Sequence, residues 1–208
     1  MTQLKVWGQP KSINVQKVLW ALEELELPFE RVDAGGAFGR VRDADYLSLN
    51  PNGLVPTLED GGVALWESNA IVRYLYAKYG KHPQQPRDLA VRARADGWTD
   101  WYATTFWLNV RPILVQLVRT PERERDERVL VSSLAASRAA IEVLDRELAK
   151  TPYVAGDDFT FGDLPLAAAA QRWFNLPIGR APAENVEAWY ARVKQRAGFK
   201  RWVDLPLF

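Results

Sequence analysis

The fold is decided by two stretches that lie close together in the chain, Asn50-Pro51-Asn52-Gly53-Leu54-Val55-Pro56 and Trp66-Glu67-Ser68-Asn69-Ala70-Ile71. The Pro-Asn-Gly of the first stretch is typical of a turn, and the apolar residues after it indicate the start of a β-strand. In the second stretch a serine stands where apolar residues begin to recur at helical spacing, which predicts a helix N-terminus. The two stretches therefore predict a short hairpin that leads directly into a helix.

The predicted hairpin consists of strands at residues 55–58 and 63–66. Its turn contains Asp60-Gly61, a dipeptide that strongly favours hairpin turns. Ser68 is predicted to cap the following helix, which runs to Tyr79. Upstream, the pattern predicts an order of βαβαββα for the whole region, with strands at residues 4–7 and 29–32, an amphipathic helix between them and a short helix at residues 44–49.

Strand signals stop after residue 80. Two prolines mark residues 81–88 as a linker, and the periodicity beyond it is helical. We therefore predict an α/β domain at residues 1–80 and an all-α helical bundle domain at residues 89–208. Its helices are predicted at residues 89–118 (interrupted late by Pro112), 128–148, 164–174 and 186–193, with a short helix at the C-terminus.

The composition excludes several classes of function. The 208 residues include 27 Lys and Arg against 26 Asp and Glu, no Cys, and a single His, His82. The balanced charge argues against a nucleic-acid partner, and no apolar run reaches the ~18 residues of a membrane span. Without cysteine there is no thiolate nucleophile and no Cys-based metal or redox site, and one histidine argues against a catalytic triad. We expect a cytoplasmic protein without a metal, in which any reacting thiol comes from a small molecule.

Two further motifs complete a family pattern, Ser12-Ile13-Asn14-Val15-Gln16-Lys17-Val18 and Phe159-Thr160-Phe161-Gly162-Asp163. With the two opening stretches, they resemble the glutathione transferase superfamily over nearly the whole chain, and most closely its bacterial, theta-like branch that uses a serine. The resemblance implies a thioredoxin-like first domain, glutathione as co-substrate, a homodimer, and transfer of glutathione to a small electrophile, with an anionic or halogenated acceptor as one option. The alternatives are a glutathione-dependent peroxidase or dehalogenase, and a non-catalytic glutathione-binding regulatory protein of the same fold.

The resemblance also implies how glutathione is held. Glu67 would bind the ammonium and Ser68 the carboxylate of the γ-glutamyl group, at a helix N-terminus that favours anions. The bond between Val55 and Pro56 is cis in the family, so that Val55 offers its N–H and C=O to the cysteinyl part. There are three weaker candidates. Asn52 would line the glutathione groove, although a turn role is equally open. Arg40, or Lys11 as second choice, would bind the glycyl carboxylate, and Thr104 would reach the γ-glutamyl group from the partner subunit.

Ser12 is the predicted activator of the glutathione thiol. A free thiol has a pKa near roughly 8.5, and the thiolate is the nucleophile. A hydroxyl that donates a hydrogen bond to the thiolate near a helix N-terminus lowers that pKa. Two alternatives stay open: Ser12 is only a helix cap, or the Asn14 amide is the donor.

The acceptor pocket is expected between the domains, on the long helix, with Tyr102, Phe106, Trp107 and Arg111 as candidate lining residues. Core packing explains the aromatic residues equally well. Arg111 would bind an anionic electrophile, and a salt bridge is its structural alternative. Thr160 with Asp163 is interpreted as a helix-capping pair outside the site.

Overall fold

The computed structural model describes residues 4–81 and 86–207 of the chain. Half of the predicted linker, residues 82–85 with His82, therefore lies outside the described residues. The described residues form two compact units, one of residues 4–81 with 197–203 and one of residues 86–196 with 204–207. Residues 197–203, which were expected in the helical domain, thus group with the α/β unit.

The first unit is built on a four-stranded mixed sheet whose strands lie in the order β2-β1-β3-β4. β1 and β2 are parallel, and β3 is antiparallel to both β1 and β4. The predicted order βαβαββα is confirmed. Its elements are β1 (Leu4–Trp7), α1 (Ile13–Glu24), β2 (Phe29–Val32), α2 (Ala44–Leu49), β3 (Thr57–Asp60), β4 (Val63–Trp66) and α3 (Ser68–Tyr79).

β3 begins at Thr57, two residues later than predicted. Pro56 has no N–H to give to a strand ladder, so pairing with β1 starts only at the residue after it. The apolar residues 55–58 suggested a strand because periodicity cannot separate a strand from the extended segment that leads into it. The residues just before β3 are therefore free to take part in a loop.

Helix α1 is buried on almost all sides, since every residue from 15 to 22 is buried. The prediction of an amphipathic helix was wrong for this stretch, because α3 and α9 (Ala197–Trp202) both pack against α1. The ring of Trp20 meets Phe199 edge-on with centroids 5.4 Å apart. A Cβ on Gly198 would lie 2.3 Å from the Trp20 ring, so only glycine allows this close approach.

The second unit is helical in the described residues. Its first helical stretch runs without a break from residue 89 to 119 as α4 (Leu89–Trp101), a π-helical turn (Tyr102–Phe106), α5 (Trp107–Leu114) and a second π-helical turn (Val115–Arg119). The remaining helices are α6 (Glu127–Leu148), α7 (Asp163–Asn175) and α8 (Glu184–Val193). Among the described residues, no helix is long and apolar enough to cross a membrane.

The centre of the helical unit is α7, whose residues 163–173 are all buried, as its apolar composition predicted. Gly162 lies directly before it and faces α4. A Cβ at this position would lie 2.9 Å from the Cα and the carbonyl oxygen of Ala95, so a glycine is required where the two segments meet.

The buried carboxylate of Asp163 organises the start of α7. Its Oδ2 accepts from the Thr160 backbone N–H at 2.9 Å and the Thr160 hydroxyl at 3.3 Å. Its Oδ1 accepts from Trp189 Nε1 at 2.9 Å and from the Val154 N–H at 3.2 Å. The structural interpretation of Thr160 and Asp163 is therefore confirmed, and the carboxylate also connects α7 with α8 and the preceding loop.

Candidate functional site

The strand register brings the ends of four strands to one edge of the sheet. Trp7, the last residue of β1, pairs with Val32 at the end of β2 and with Thr57 at the start of β3. Thr57 in turn pairs with Trp66 at the end of β4. The segments that carry Ser12, Arg40, Val55 and Glu67 all adjoin these strand ends, so the first unit gathers them at the same edge.

The loop before β3 has the shape that the resemblance implied. The Val55–Pro56 peptide bond is cis. Within the described residues, neither the N–H nor the C=O of Val55 forms a hydrogen bond. A backbone donor and acceptor left open next to the start of a strand can pair with a peptide as a neighbouring strand does.

Two buried side chains that the sequence analysis missed hold this loop in place. The Tyr46 hydroxyl donates to the Leu54 carbonyl at 2.6 Å, and Asn50 Nδ2 donates to the same oxygen at 2.8 Å. The Tyr46 hydroxyl also lies 2.8 Å from the Thr57 hydroxyl, and burial raises the pKa of Tyr46. These bonds fix the carbonyl that directly precedes Val55, and thereby the direction of the Val55 backbone.

Glu67 and Ser68 stand at the N-terminus of α3. Glu67 is exposed and has φ of 67°, in the left-handed region that a non-glycine residue adopts at a cost of about 1–3 kcal/mol. The helix begins at Ser68, so Glu67, rather than Ser68, occupies the cap position. Ser68 is buried, and its hydroxyl has no hydrogen-bond partner among the described residues. Free N–H groups and a free hydroxyl at a helix N-terminus suit a carboxylate.

Ser12 directly precedes α1 as its cap residue, with an extended backbone. Its hydroxyl makes no capping hydrogen bond, and the described residues offer it no other partner. The alternative that Ser12 serves only as a helix cap therefore loses its support, since the bond that defines a cap is absent. Asn14 is half-buried in the first turn of α1, and its amide likewise has no partner in the described part of the chain.

The weaker binding candidates have structural partners. Arg40 stacks over the ring of Trp7 at 4.9 Å, and its guanidinium lies 3.8 Å from the Asp45 carboxylate, with both side chains exposed. Asn52 donates from its backbone and its side chain to Asn50 Oδ1, at 3.0 and 3.2 Å. These bonds favour the turn role of Asn52. Lys11 is exposed.

Lys17 is the most unusual side chain near the site, and its role was missed. It is only 2% exposed, and its Nζ donates to Asn69 Oδ1 at 2.7 Å. Burial lowers the pKa of Lys17 to about 7, while the Glu67 carboxylate opposes this shift. The signal available in the sequence was a lysine between the apolar residues Val15 and Val18, because a charge among buried residues needs a partner.

The candidates of the helical unit are described by themselves. Tyr102 and Phe106 are 2% and 0% exposed, which favours the core-packing alternative. Trp107 is half-buried and stacks on Tyr102 with centroids 6.4 Å apart. Arg111 is exposed, and no ion pair or hydrogen bond to it exists among the described residues, so it is not the buried arginine that the sequence suggested. The Thr104 hydroxyl donates to the Asp100 carbonyl of its own helix at 2.9 Å.

One edge of the sheet thus combines the Val55 backbone, the N-terminus of α3 and the Ser12 hydroxyl. Residues 4–81 and 86–207 provide no hydrogen-bond partner for the Val55 backbone or the Ser12 hydroxyl. In the residues that the structure describes, no cluster of three His, Cys, Asp or Glu side chains is able to hold a metal. The donors present suit a small acidic peptide that brings its own reactive group.

Comparison with known protein families gives this class of site a name. The family model described as glutathione S-transferase, N-terminal domain, matches residues 2–77, and the one described as glutathione S-transferase, C-terminal domain, matches residues 106–197. The chain belongs to the glutathione S-transferase family, and it is a transferase enzyme. The predicted fold, a thioredoxin-like α/β domain followed by a helical domain, is confirmed.

Individual relatives are similar over their full length. The chain is 43% identical over 206 residues to glutathione S-transferase GstB of Escherichia coli K12, covering 98% of this chain and 99% of the relative. It is 32% identical over 219 residues to glutathione S-transferase 3 of Zea mays, covering 100% and 96%. A solved theta-class glutathione S-transferase from Xanthomonas axonopodis pv. citri, with glutathione bound, has a TM-score of 0.94 at 42% identity, with both chains covered completely. The predicted resemblance to bacterial theta-like transferases is confirmed.

Proposed function

We propose that this protein transfers the thiolate of glutathione to a small electrophilic acceptor, with Ser12 as the group that stabilises the thiolate. The observation that carries the proposal is the Ser12 hydroxyl at the start of α1, at the same sheet edge as the Val55 backbone, with no hydrogen-bond partner for either in the part of the chain that the structure describes. A hydrogen bond from this hydroxyl favours the ionised thiol, and each pKa unit of lowering corresponds to about 1.4 kcal/mol.

The tripeptide would be held by backbone and side-chain groups for which the described residues provide no hydrogen bond. The Val55 N–H and C=O pair with the cysteinyl backbone, Ser68 and the first turn of α3 bind the γ-glutamyl carboxylate, and the exposed Glu67 carboxylate binds the ammonium. Supporting this arrangement, the left-handed backbone at Glu67 is the kind of strain that proteins retain at ligand sites. Positioning and thiolate stabilisation then supply the catalysis, without a metal.

Glutathione should stabilise the folded protein and be consumed with an electrophile. At about 100 times its Kd, a ligand adds ~2.7 kcal/mol, which raises the melting temperature by roughly 5–10 °C for a chain of this size. We expect this shift by scanning fluorimetry, together with turnover of a chloronitroaromatic acceptor that requires glutathione. A melting temperature unaffected by glutathione would contradict the proposal, and binding without turnover of any acceptor would favour a regulatory protein instead.

The exposed Arg111 guanidinium favours a particular acceptor, a small haloacid such as bromoacetate. The glutathione thiolate would attack the carbon that bears the halogen, forming a C–S bond while halide leaves with the electron pair of the broken bond. Arg111 has no ion-pair partner in the described residues, so it is available to a carboxylate. The same reaction counts as a dehalogenation, the alternative activity that the resemblance left open.

Replacing Arg111 should separate acidic from neutral acceptors. For Arg111→Ala we expect kcat/KM with bromoacetate to fall about tenfold or more, since a charged hydrogen bond contributes roughly 1.5–3 kcal/mol, while turnover of a neutral chloronitroaromatic is unchanged. Arg123→Ala, which removes an exposed arginine elsewhere in the helical unit, is the matched control. Equal losses with both acceptors would refute the role in acceptor choice.

We also propose a homodimer. Several large apolar side chains of the α/β unit are exposed, among them Trp66 at 40% and Leu54 at 63%, and a partner subunit would cover such surface. The contribution of Thr104 from the partner stays a prediction, as does the cytoplasmic location.

A further inference from the structure

The buried Lys17 is not used by the chemistry proposed above, although it lies beneath the site. It belongs to the middle of α1, where its ammonium contacts Asn69, the second residue of α3. A buried lysine in this position needs a reason, because burial of an ammonium is costly unless it is paired. Its hydrogen bond to Asn69 and the attraction of the Glu67 carboxylate both involve the segment Glu67-Ser68-Asn69, which is the segment proposed to bind the γ-glutamyl end of glutathione.

We propose that Lys17 is a positioning residue for the γ-glutamyl subsite, which holds the first turn of α3 through Asn69 and adds positive charge beneath it. This inference rests on the proposed glutathione site. The side chain is too deeply buried to be assigned a direct contact with ligand, so it acts through Asn69 and through its field. A positive charge below a helix N-terminus strengthens the attraction for a carboxylate that the helix already provides.

The electrostatics agree with this role. Burial lowers the pKa of Lys17 to about 7; the Glu67 carboxylate raises it, and the Arg73 guanidinium lowers it. The α9 residue Arg201 pairs with Glu23, six positions further along α1, so it is occupied elsewhere. A bound γ-glutamyl carboxylate favours the charged form of Lys17. By linkage, ligand affinity is therefore highest while Lys17 is protonated and declines as the pH rises past 7.

The test measures binding of S-methylglutathione, which has no thiol to titrate, by calorimetry between pH 6.0 and 8.0. For Lys17→Met, we expect the Kd at pH 6.0 to rise about tenfold and the pH dependence of the wild-type Kd to disappear. With glutathione, KM should rise by a similar factor while kcat stays within about threefold. Lys81→Met, at an exposed lysine of the same unit, is the matched control.

Asn69→Ala removes the connection without removing the charge, so it tests the proposal even if Lys17→Met does not fold. We expect it to raise the Kd severalfold while the pH dependence remains. An unchanged Kd in both variants, or a wild-type Kd that is constant from pH 6.0 to 8.0, would overturn the inference. If the wild type does not bind S-methylglutathione at all, the proposed glutathione site itself fails, which is a different result.

Discussion

Replacing Ser12 by alanine should lower kcat/KM for glutathione transfer about 100-fold. The hydroxyl has no partner in the described part of the protein, so its removal leaves the fold intact and takes away only a donor to the thiolate. Loss of one preorganised donor to a developing or resident anion typically costs about 10²–10³ in rate. The pKa of the bound thiol, followed by thiolate absorbance, should rise toward the ~8.5 of a free thiol.

Asn14→Ala decides between the two donors that the sequence left open. If Ser12 is the donor, Asn14→Ala changes the thiol pKa little, and the binding of S-methylglutathione is preserved in both variants. Ser48→Ala is a suitable control, since Ser48 is exposed and the described residues give its hydroxyl one donor bond, to the Asp45 carbonyl of the same helix. A thiol pKa that moves in Asn14→Ala and stays constant in Ser12→Ala would transfer the role to Asn14.

The sequence predicted most of the α/β unit because its signals are local. The strands at residues 4–7, 29–32 and 63–66 were predicted with the observed bounds, and so was the end of α3 at Tyr79. Each is short, is bounded by turn residues and has the periodicity of its own class. The start of β3 was misplaced because an apolar segment that leads into a strand has the same composition as the strand.

What the sequence did not reveal depends on contacts between distant residues. Neither the support of the Val55 loop by Asn50 and Tyr46 nor the contact of Lys17 with Asn69 leaves a local pattern. The burial of α1 had the same cause, since α9 covers it from a position about 180 residues later in the chain. Burial also favours core packing for Tyr102 and Phe106, a question that helical spacing alone had left open.

Asp163→Ala should produce the largest loss of stability among the changes considered, about 3–5 kcal/mol. Four donors lose their acceptor: the backbone N–H groups of Val154 and Thr160, the Thr160 hydroxyl and the indole N–H of Trp189. Each buried donor left unpaired costs roughly 1–3 kcal/mol, partly offset by the carboxylate no longer being buried. For a chain of this length, the melting temperature should fall by roughly 6–20 °C.

The pH dependence of stability gives an independent check on the same carboxylate. Burial raises the pKa of Asp163 from 3.8 to about 6, against the hydrogen bonds that favour its ionised form. Because the folded pKa lies above the unfolded one, the folded state binds the proton more tightly. The stabilisation from this group is thus fully present below about pH 4 and is lost as the pH rises through about 6. The difference in unfolding free energy between wild type and Asp163→Ala should therefore be larger at pH 5 than at pH 8, as measured by urea denaturation.

Asp158→Ala, on the exposed part of the same loop, is the control and should show neither the loss of stability nor its pH dependence. An equally large loss in Asp158→Ala would mean that the loop rather than the buried carboxylate sets the stability.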